Sequence, residues 1–122
     1  MKHLLSLLLF FLIVPVAHAQ LPKVELKDLQ GKSVNTSELN NEGKPFIVSF
    51  FATWCKPCLR ELKAINEVYE DWQEETGVKL VAVSIDEGQN TDRVKPLMDA
   101  LGLEYEVLLD PNGDFKRAMN VN

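Results

Sequence analysis

Histidine is nearly missing from this chain, and cysteine is confined to one spot. His3 and His18 are the only histidines, both within the first 19 of 122 residues, and Cys55 and Cys58 are the only cysteines. A Cys-x-x-Cys pair that holds zinc needs two further ligands, and after residue 19 neither a third cysteine nor a histidine is there to supply them. Basic clusters are lacking too. Of the 13 basic and 18 acidic residues only Lys2 falls in the first 19, which leaves a net charge of −6 on residues 20–122. That balance offers no electrostatic footprint for nucleic acid. There is no internal repeat and no low-complexity segment, and no long apolar run follows residue 16.

The one long apolar run stands at the N-terminus. Lys2 gives Met1–His3 a fixed positive charge, Leu4–Val16 is apolar except for Ser6 and Pro15, and Ala17-His18-Ala19 is a small-x-small triplet. The run is shorter than the roughly 20 residues of a bilayer span, and the three features together read as a secretory signal cleaved before Gln20. No cysteine stands at the cleavage point, which argues against a lipid-anchored form. The expected organisation is a signal peptide over residues 1–19 and one domain over residues 20–122, soluble in the periplasm or cell envelope.

Two cysteines in an exported chain ordinarily suggest a structural disulfide. Here they are three residues apart, and so small a loop constrains the unfolded chain very little. A redox couple is the better reading of that spacing.

Hydrophobic patterning gives the framework. Val24–Leu26 and Lys32–Val34, separated by the Asp28–Gly31 turn signal, read as a hairpin. Thr36–Leu39 suggests a capped helical turn. Phe46–Phe51 is a continuous apolar run rich in aromatic and β-branched residues, which predicts a buried central strand. From Cys58 the period changes: Leu59, Leu62, Ile65, Tyr69 and Trp72 recur at spacings of three and four, so an amphipathic helix runs to Gly77 with Trp72 in the core. Val78–Ile85 is a second buried strand. Thr91–Leu101 is a second helix with Pro96 in its first turn or at a kink. Tyr105–Leu109 is a third strand, and Asp114–Met119 begins another helix. Strands alternating with helices predict an α/β fold with parallel neighbours. Asp86-Glu87-Gly88 reads as a loop after the second strand, bordering the site without a catalytic role.

The Trp54-Cys55-Lys56-Pro57-Cys58 segment sits where the first long strand hands over to the helix. Cys55 is thus expected among backbone N–H groups without intrahelical partners, where those donors, the helix dipole and Lys56 stabilise a thiolate. Cys58 falls one turn later on the buried side. Cys55 is therefore the attacking sulfur and Cys58 the resolving one. Pro57 lies in the first turn, where its missing N–H costs nothing. Trp54 either shields the disulfide and helps substrates dock or simply packs.

The run Val48-Ser49-Phe50-Phe51-Ala52-Thr53-Trp54-Cys55-Lys56-Pro57-Cys58-Leu59-Arg60-Glu61 resembles the active-site segment of the TlpA/ResA-like family of exported thioredoxin-fold thiol–disulfide oxidoreductases. Glu25–Lys32, Val81–Asp86 and Leu108–Gly113 are similar to that family too. The resemblance implies a thioredoxin-like fold with an N-terminal β-hairpin extension, and a protein-disulfide reductase that needs no cofactor. It implies protein thiol and disulfide substrates, a membrane thiol reductant for recycling, a monomer, and for several members a role in cytochrome c maturation. Catalysis is carried over to Cys55 and Cys58, and docking to Trp54, Lys56 and Pro57. Many thioredoxins place a buried acid where this chain has Ser49. The family pattern instead has a glutamate three residues after the second cysteine, matched by Glu61, which is read either as a proton relay to Cys58 or as a solvated early-helix residue. The family further implies two strands, a closing helix and a cis-proline loop after Asn122, so the domain is expected to be incomplete at its C-terminus.

Two other functions compete. A thiol peroxidase of the peroxiredoxin-related group uses a threonine three residues before the reactive cysteine, where this chain has Ala52. A thiol-dependent metallochaperone ordinarily has wider cysteine spacing and a histidine. In the reduced protein the Cys55 thiol is expected to titrate below the roughly 8.5 of a free thiol. Thiolate absorbance against pH measures it, and a value at or above that reference would remove the claim of activation.

Overall fold

The computed structural model describes residues 20–122, so the predicted signal peptide over residues 1–19 lies outside the described residues. Five strands and three helices follow in the order β1 (Glu25–Asp28), β2 (Ser33–Asn35), β3 (Phe46–Phe51), α1 (Lys56–Thr76), β4 (Lys79–Ser84), α2 (Val94–Leu101), β5 (Glu106–Leu109) and α3 (Asp114–Ala118). Short 3-10 segments at Thr36–Glu38 and Gly88–Arg93 complete the secondary structure. The strands form one sheet in the order β2-β1-β5-β4-β3. β3 and β5 flank β4 in parallel, and β1 runs antiparallel to both β2 and β5. The expected hairpin is therefore no appendage, because β1 adds directly to β5.

The apolar runs in β3, β4 and β5 are unbroken because both faces of the sheet are covered. Side chains alternate across a strand, and the two cores follow that alternation. Leu80, Ala82, Val107 and Phe51 face α1 and α2, where they meet Leu62, Val94 and Met98. Val81, Val83 and Leu108 face the other way, toward Leu26 and Phe115. Phe115, on α3, also stacks at a tilt on Phe50 with ring centroids 5.7 Å apart. Asp110 sets α3 in place: its buried carboxylate accepts the Phe115 and Lys116 N–H groups at 3.1 and 2.9 Å. These are donors that a helix N-terminus leaves unpartnered.

Among the described residues β3 stands at the edge of the sheet, paired only with β4, and of its six residues only Phe51 is fully buried. Three expectations need correction. Trp72 is 38% exposed and does not belong to the core. The 21 residues of α1 span ~32 Å, whereas six-residue strands reach only ~20 Å, so the last turns of the helix overhang the sheet. The second helix begins at Val94, and Gly88–Arg93 is 3-10. Pro96 has no N–H to return to the Asp92 carbonyl, so the α-type ladder starts only downstream. The third strand begins at Glu106, one residue later than expected.

Two tyrosines tie α1 to the sheet. The Tyr69 hydroxyl accepts the Leu80 N–H at 2.9 Å, one residue before the β4–β5 register begins. The Tyr105 hydroxyl donates to the Leu62 carbonyl at 2.7 Å, and the two rings meet edge to face with centroids 5.2 Å apart. Burial, with a smaller contribution from Tyr69, pushes the Tyr105 phenol from its usual 10.0 up to about 12. The folded state thus favours the neutral phenol. That contribution is complete below pH 10 and is lost as pH rises toward about 12. Tyr105→Phe is expected to cost ~1 kcal/mol near neutral pH through the lost hydrogen bond. The gap to the parent should narrow between pH 10 and about 12. Urea titrations across that range test both, and a gap that widened would refute the assignment.

Candidate functional site

The site lies at the carboxyl ends of the parallel strands, where open α/β sheets commonly place their chemistry. β3 ends at Phe51, whose carbonyl accepts the Ile85 N–H at 2.8 Å and carries the β3–β4 ladder one step further. Ala52, almost fully buried, anchors the crossing chain, and the Cys55 N–H donates back to its carbonyl at 3.0 Å. That turn delivers Cys55 to the N-cap of α1 in an extended backbone conformation. Its sulfur accepts the Cys58 N–H at 3.3 Å, and its carbonyl accepts the first helical bond from Leu59 at 3.1 Å. A helix start therefore aims a backbone donor at this sulfur, which favours negative charge on it in the reduced protein.

Cys55 and Cys58 are joined by a disulfide, with their α-carbons 5.3 Å apart. The two sulfurs have unequal surroundings. Cys58 packs against the core formed by Leu62, Phe51 and their neighbours, while Cys55 caps the helix end beside Trp54. Pro57 occupies the second helical position, where no N–H is required. Lys56 and Pro57 are exposed. Trp54, at 66% exposure, is the most exposed large apolar side chain among the described residues. It stands between two grooves. One, of about 610 Å³, is lined by Thr53, Arg93, Pro96 and Leu97, and the other, of about 520 Å³, by Ile85, Glu87, Asn112 and Lys116. Glu61 lies on α1 one turn past Cys58 and is exposed. Ser49 is half-buried on β3, in register with Ala82 of β4.

Sequence reasoning passed over Asp86. It is fully buried, and its carboxylate joins Thr53, two residues before Cys55, to Ser84 at the end of β4. It accepts the Thr53 N–H at 2.9 Å, the Thr53 hydroxyl at 2.6 Å and the Ser84 hydroxyl at 2.7 Å. The Ser84 hydroxyl in turn accepts the Asp86 N–H at 3.1 Å. The only local hint was a hydroxyl two residues before the acid. The decisive partner, Thr53, lies 33 residues away, so an Asp-Glu-Gly loop reading was natural.

A mixed α/β sheet with a Cys-x-x-Cys disulfide at the start of the helix that follows a parallel strand defines a thioredoxin-like redox domain. The chain belongs to the AhpC/TSA family, whose pattern matches residues 17–122. It is 37% identical over 90 residues to the thiol-disulfide oxidoreductase ResA of Bacillus thuringiensis (strain Al Hakam), a match covering 73% of this chain and 49% of that one. The chain thus spans about half the length of the curated relatives it matches. Among solved structures, an uncharacterized thioredoxin-like protein from Porphyromonas gingivalis is 72% identical, with a TM-score of 0.75 over 87% of this chain and 69% of the other. StoA from Bacillus subtilis is 26% identical, with a TM-score of 0.61 over 82% of this chain and 72% of its own. The TlpA/ResA-like resemblance and the thioredoxin-like fold expected from the sequence both hold.

Proposed function

We propose that this domain is an exported protein-disulfide reductase that works through Cys55 and Cys58. The observation that carries the reading is the unequal placement of the two sulfurs, one capping a helix N-terminus and the other set against the core. In the reduced protein the Cys55 thiolate attacks one sulfur of a substrate disulfide. A mixed disulfide forms and the first substrate thiolate leaves. Cys58, deprotonated, then attacks the Cys55 sulfur, closes the Cys55–Cys58 disulfide and expels the second substrate thiolate. Two electrons pass from the pair to the substrate, and a membrane thiol reductant returns them.

Trp54, Lys56 and Pro57 form the exposed rim around Cys55 and are the proposed docking residues. Glu61, one turn from Cys58, is the proposed relay for the resolving thiol's proton. Export to the periplasm or cell envelope rests on the Lys2, Leu4–Val16 and Ala17-His18-Ala19 pattern. The proposed substrates are protein disulfides, those of cytochrome c maturation among them, handled by a monomer. The peroxidase alternative is weaker for a geometric reason. Ala52 is buried and has no hydroxyl, and the Thr53 hydroxyl is already committed to Asp86.

Cys58→Ser is expected to accumulate mixed disulfides on Cys55, because attack survives and resolution does not. Non-reducing gels of cell-envelope extracts read this directly, and accumulation on Cys55→Ser instead would reverse the roles. Glu61→Gln is expected to slow resolution by roughly 100-fold, the lower end of what a positioned proton-transfer group contributes, with the fold intact. Stopped-flow decay of a preformed mixed disulfide measures it. An unchanged rate across pH would return Glu61 to the solvated surface.

A further inference from the structure

Asp86 is the least expected group at the site. Burying a carboxylate is costly unless hydrogen bonds replace its lost water, and an apolar side chain would fill the same space at lower cost. The three groups that donate to its carboxylate are the Thr53 N–H and hydroxyl, two residues before Cys55, and the hydroxyl of Ser84, the last residue of β4, in register with Phe51. One oxygen takes the Thr53 hydroxyl and the other takes the Ser84 hydroxyl, while the Thr53 N–H lies within 3.2 Å of both. One residue is thereby gripped through its backbone and its side chain at once, so it can neither rotate about its own axis nor lift off the sheet.

The next residue is Trp54. With 66% of its surface exposed, it has little packing of its own to fix its direction. Its orientation is inherited from the backbone that precedes it, and that backbone is held by Asp86. We propose that Asp86 is a positioning residue that locks Thr53 and thereby sets how Trp54 is presented to a protein substrate beside the Cys55–Cys58 disulfide. This deepens the reductase reading and rests on it for the kinetic comparison below.

Geometry and charge are separable here. Hydroxyls both donate and accept, so an asparagine can keep all three contacts: its oxygen takes the Thr53 N–H and the Ser84 hydroxyl, and its amide donates to the Thr53 oxygen. Asp86→Asn should therefore work nearly as the parent does, whereas Asp86→Ala should not. Thr53→Val removes one of the grips without opening a cavity, and it carries the same test if Asp86→Ala fails to fold.

The experiment compares catalytic efficiency toward insulin, a bulky protein disulfide, with that toward oxidised glutathione, which is too small to lean on Trp54. Asp86→Ala and Trp54→Ala are each expected to lower kcat/KM for insulin about tenfold, the scale of truncating one contact residue, and Asp86→Ala should change glutathione turnover by less than about twofold. Thr53→Val should show the same split in smaller degree. The double variant Asp86→Ala/Trp54→Ala should be no slower than the worse single variant, because one acts through the other. Equal losses on both substrates, multiplying losses in the double variant, or Asp86→Asn behaving like Asp86→Ala would each overturn the proposal. Amide hydrogen exchange at Thr53 supplies a reading independent of turnover. Asp86→Ala should expose that amide to faster exchange, and unchanged protection would overturn the clamp. If the parent chain exchanges no disulfide at all, the reductase reading fails, and the amide measurement still decides whether Asp86 holds Thr53.

Discussion

The parallel ladder between β3 and β4 is the constraint on which the site depends. Six residue pairs, from Phe46–Lys79 to Phe51–Ser84, fix the two strands in register, and the Ile85 N–H to Phe51 carbonyl bond extends that register past the last pair. Because parallel strands end side by side, the segment leaving β3 and the segment leaving β4 emerge as neighbours. Thr53 and Asp86, far apart in sequence, meet for that reason alone. A slip of one residue would turn every side chain of β3 to the opposite face. It would also carry Ala52 out of its buried seat and Cys55 away from the helix start.

Two buried carboxylates repeat one solution at adjacent strand ends. Asp86 follows β4 and Asp110 follows β5, and each turns inward to accept backbone N–H groups that the departing chain leaves unpaired. The difference is what they hold. Asp110 seats α3 against the Val81, Val83 and Leu108 face, which is a matter of stability. Asp86 seats the segment before the disulfide, which is a matter of presentation. The two are linked by the Asp110 N–H donating to the Ser84 carbonyl at 2.8 Å, so the carboxyl edge of the sheet is one continuous hydrogen-bonded rim.

How much of this was legible in the sequence follows from how local each signal is. The Cys-x-x-Cys pair, its place at a helix start and the role of Pro57 all sit within one turn, and the chain order alone places them. The strand–helix alternation and the hairpin were legible for the same reason. Trp72 was misplaced because the helical period continues past the point where the sheet stops. Asp86 was missed because an acid in a polar loop looks solvated until its distant partner is known. Glu61 was singled out only through the resemblance, and it stands exposed one turn past Cys58.

The phase of α1 has a consequence for how this domain tolerates change. Cys58, Leu62, Ile65 and Tyr69 share a single stripe, with the sulfur as its first member and the tyrosine that binds β4 as its last. The helix is stopped at both ends, by Cys55 at its N-cap and by Gly77, which turns left-handed at φ 70° with the Lys44 side chain close against it. Inserting or deleting one residue between those stops would rotate everything downstream by about 100°. Either the sulfur or the aromatic anchor would then leave the sheet. Reactivity and folding are therefore geared to the same shaft: a lineage cannot drift in the spacing of this helix without losing both together, and the distance from Cys58 to Gly77 is held by the core as firmly as by the chemistry.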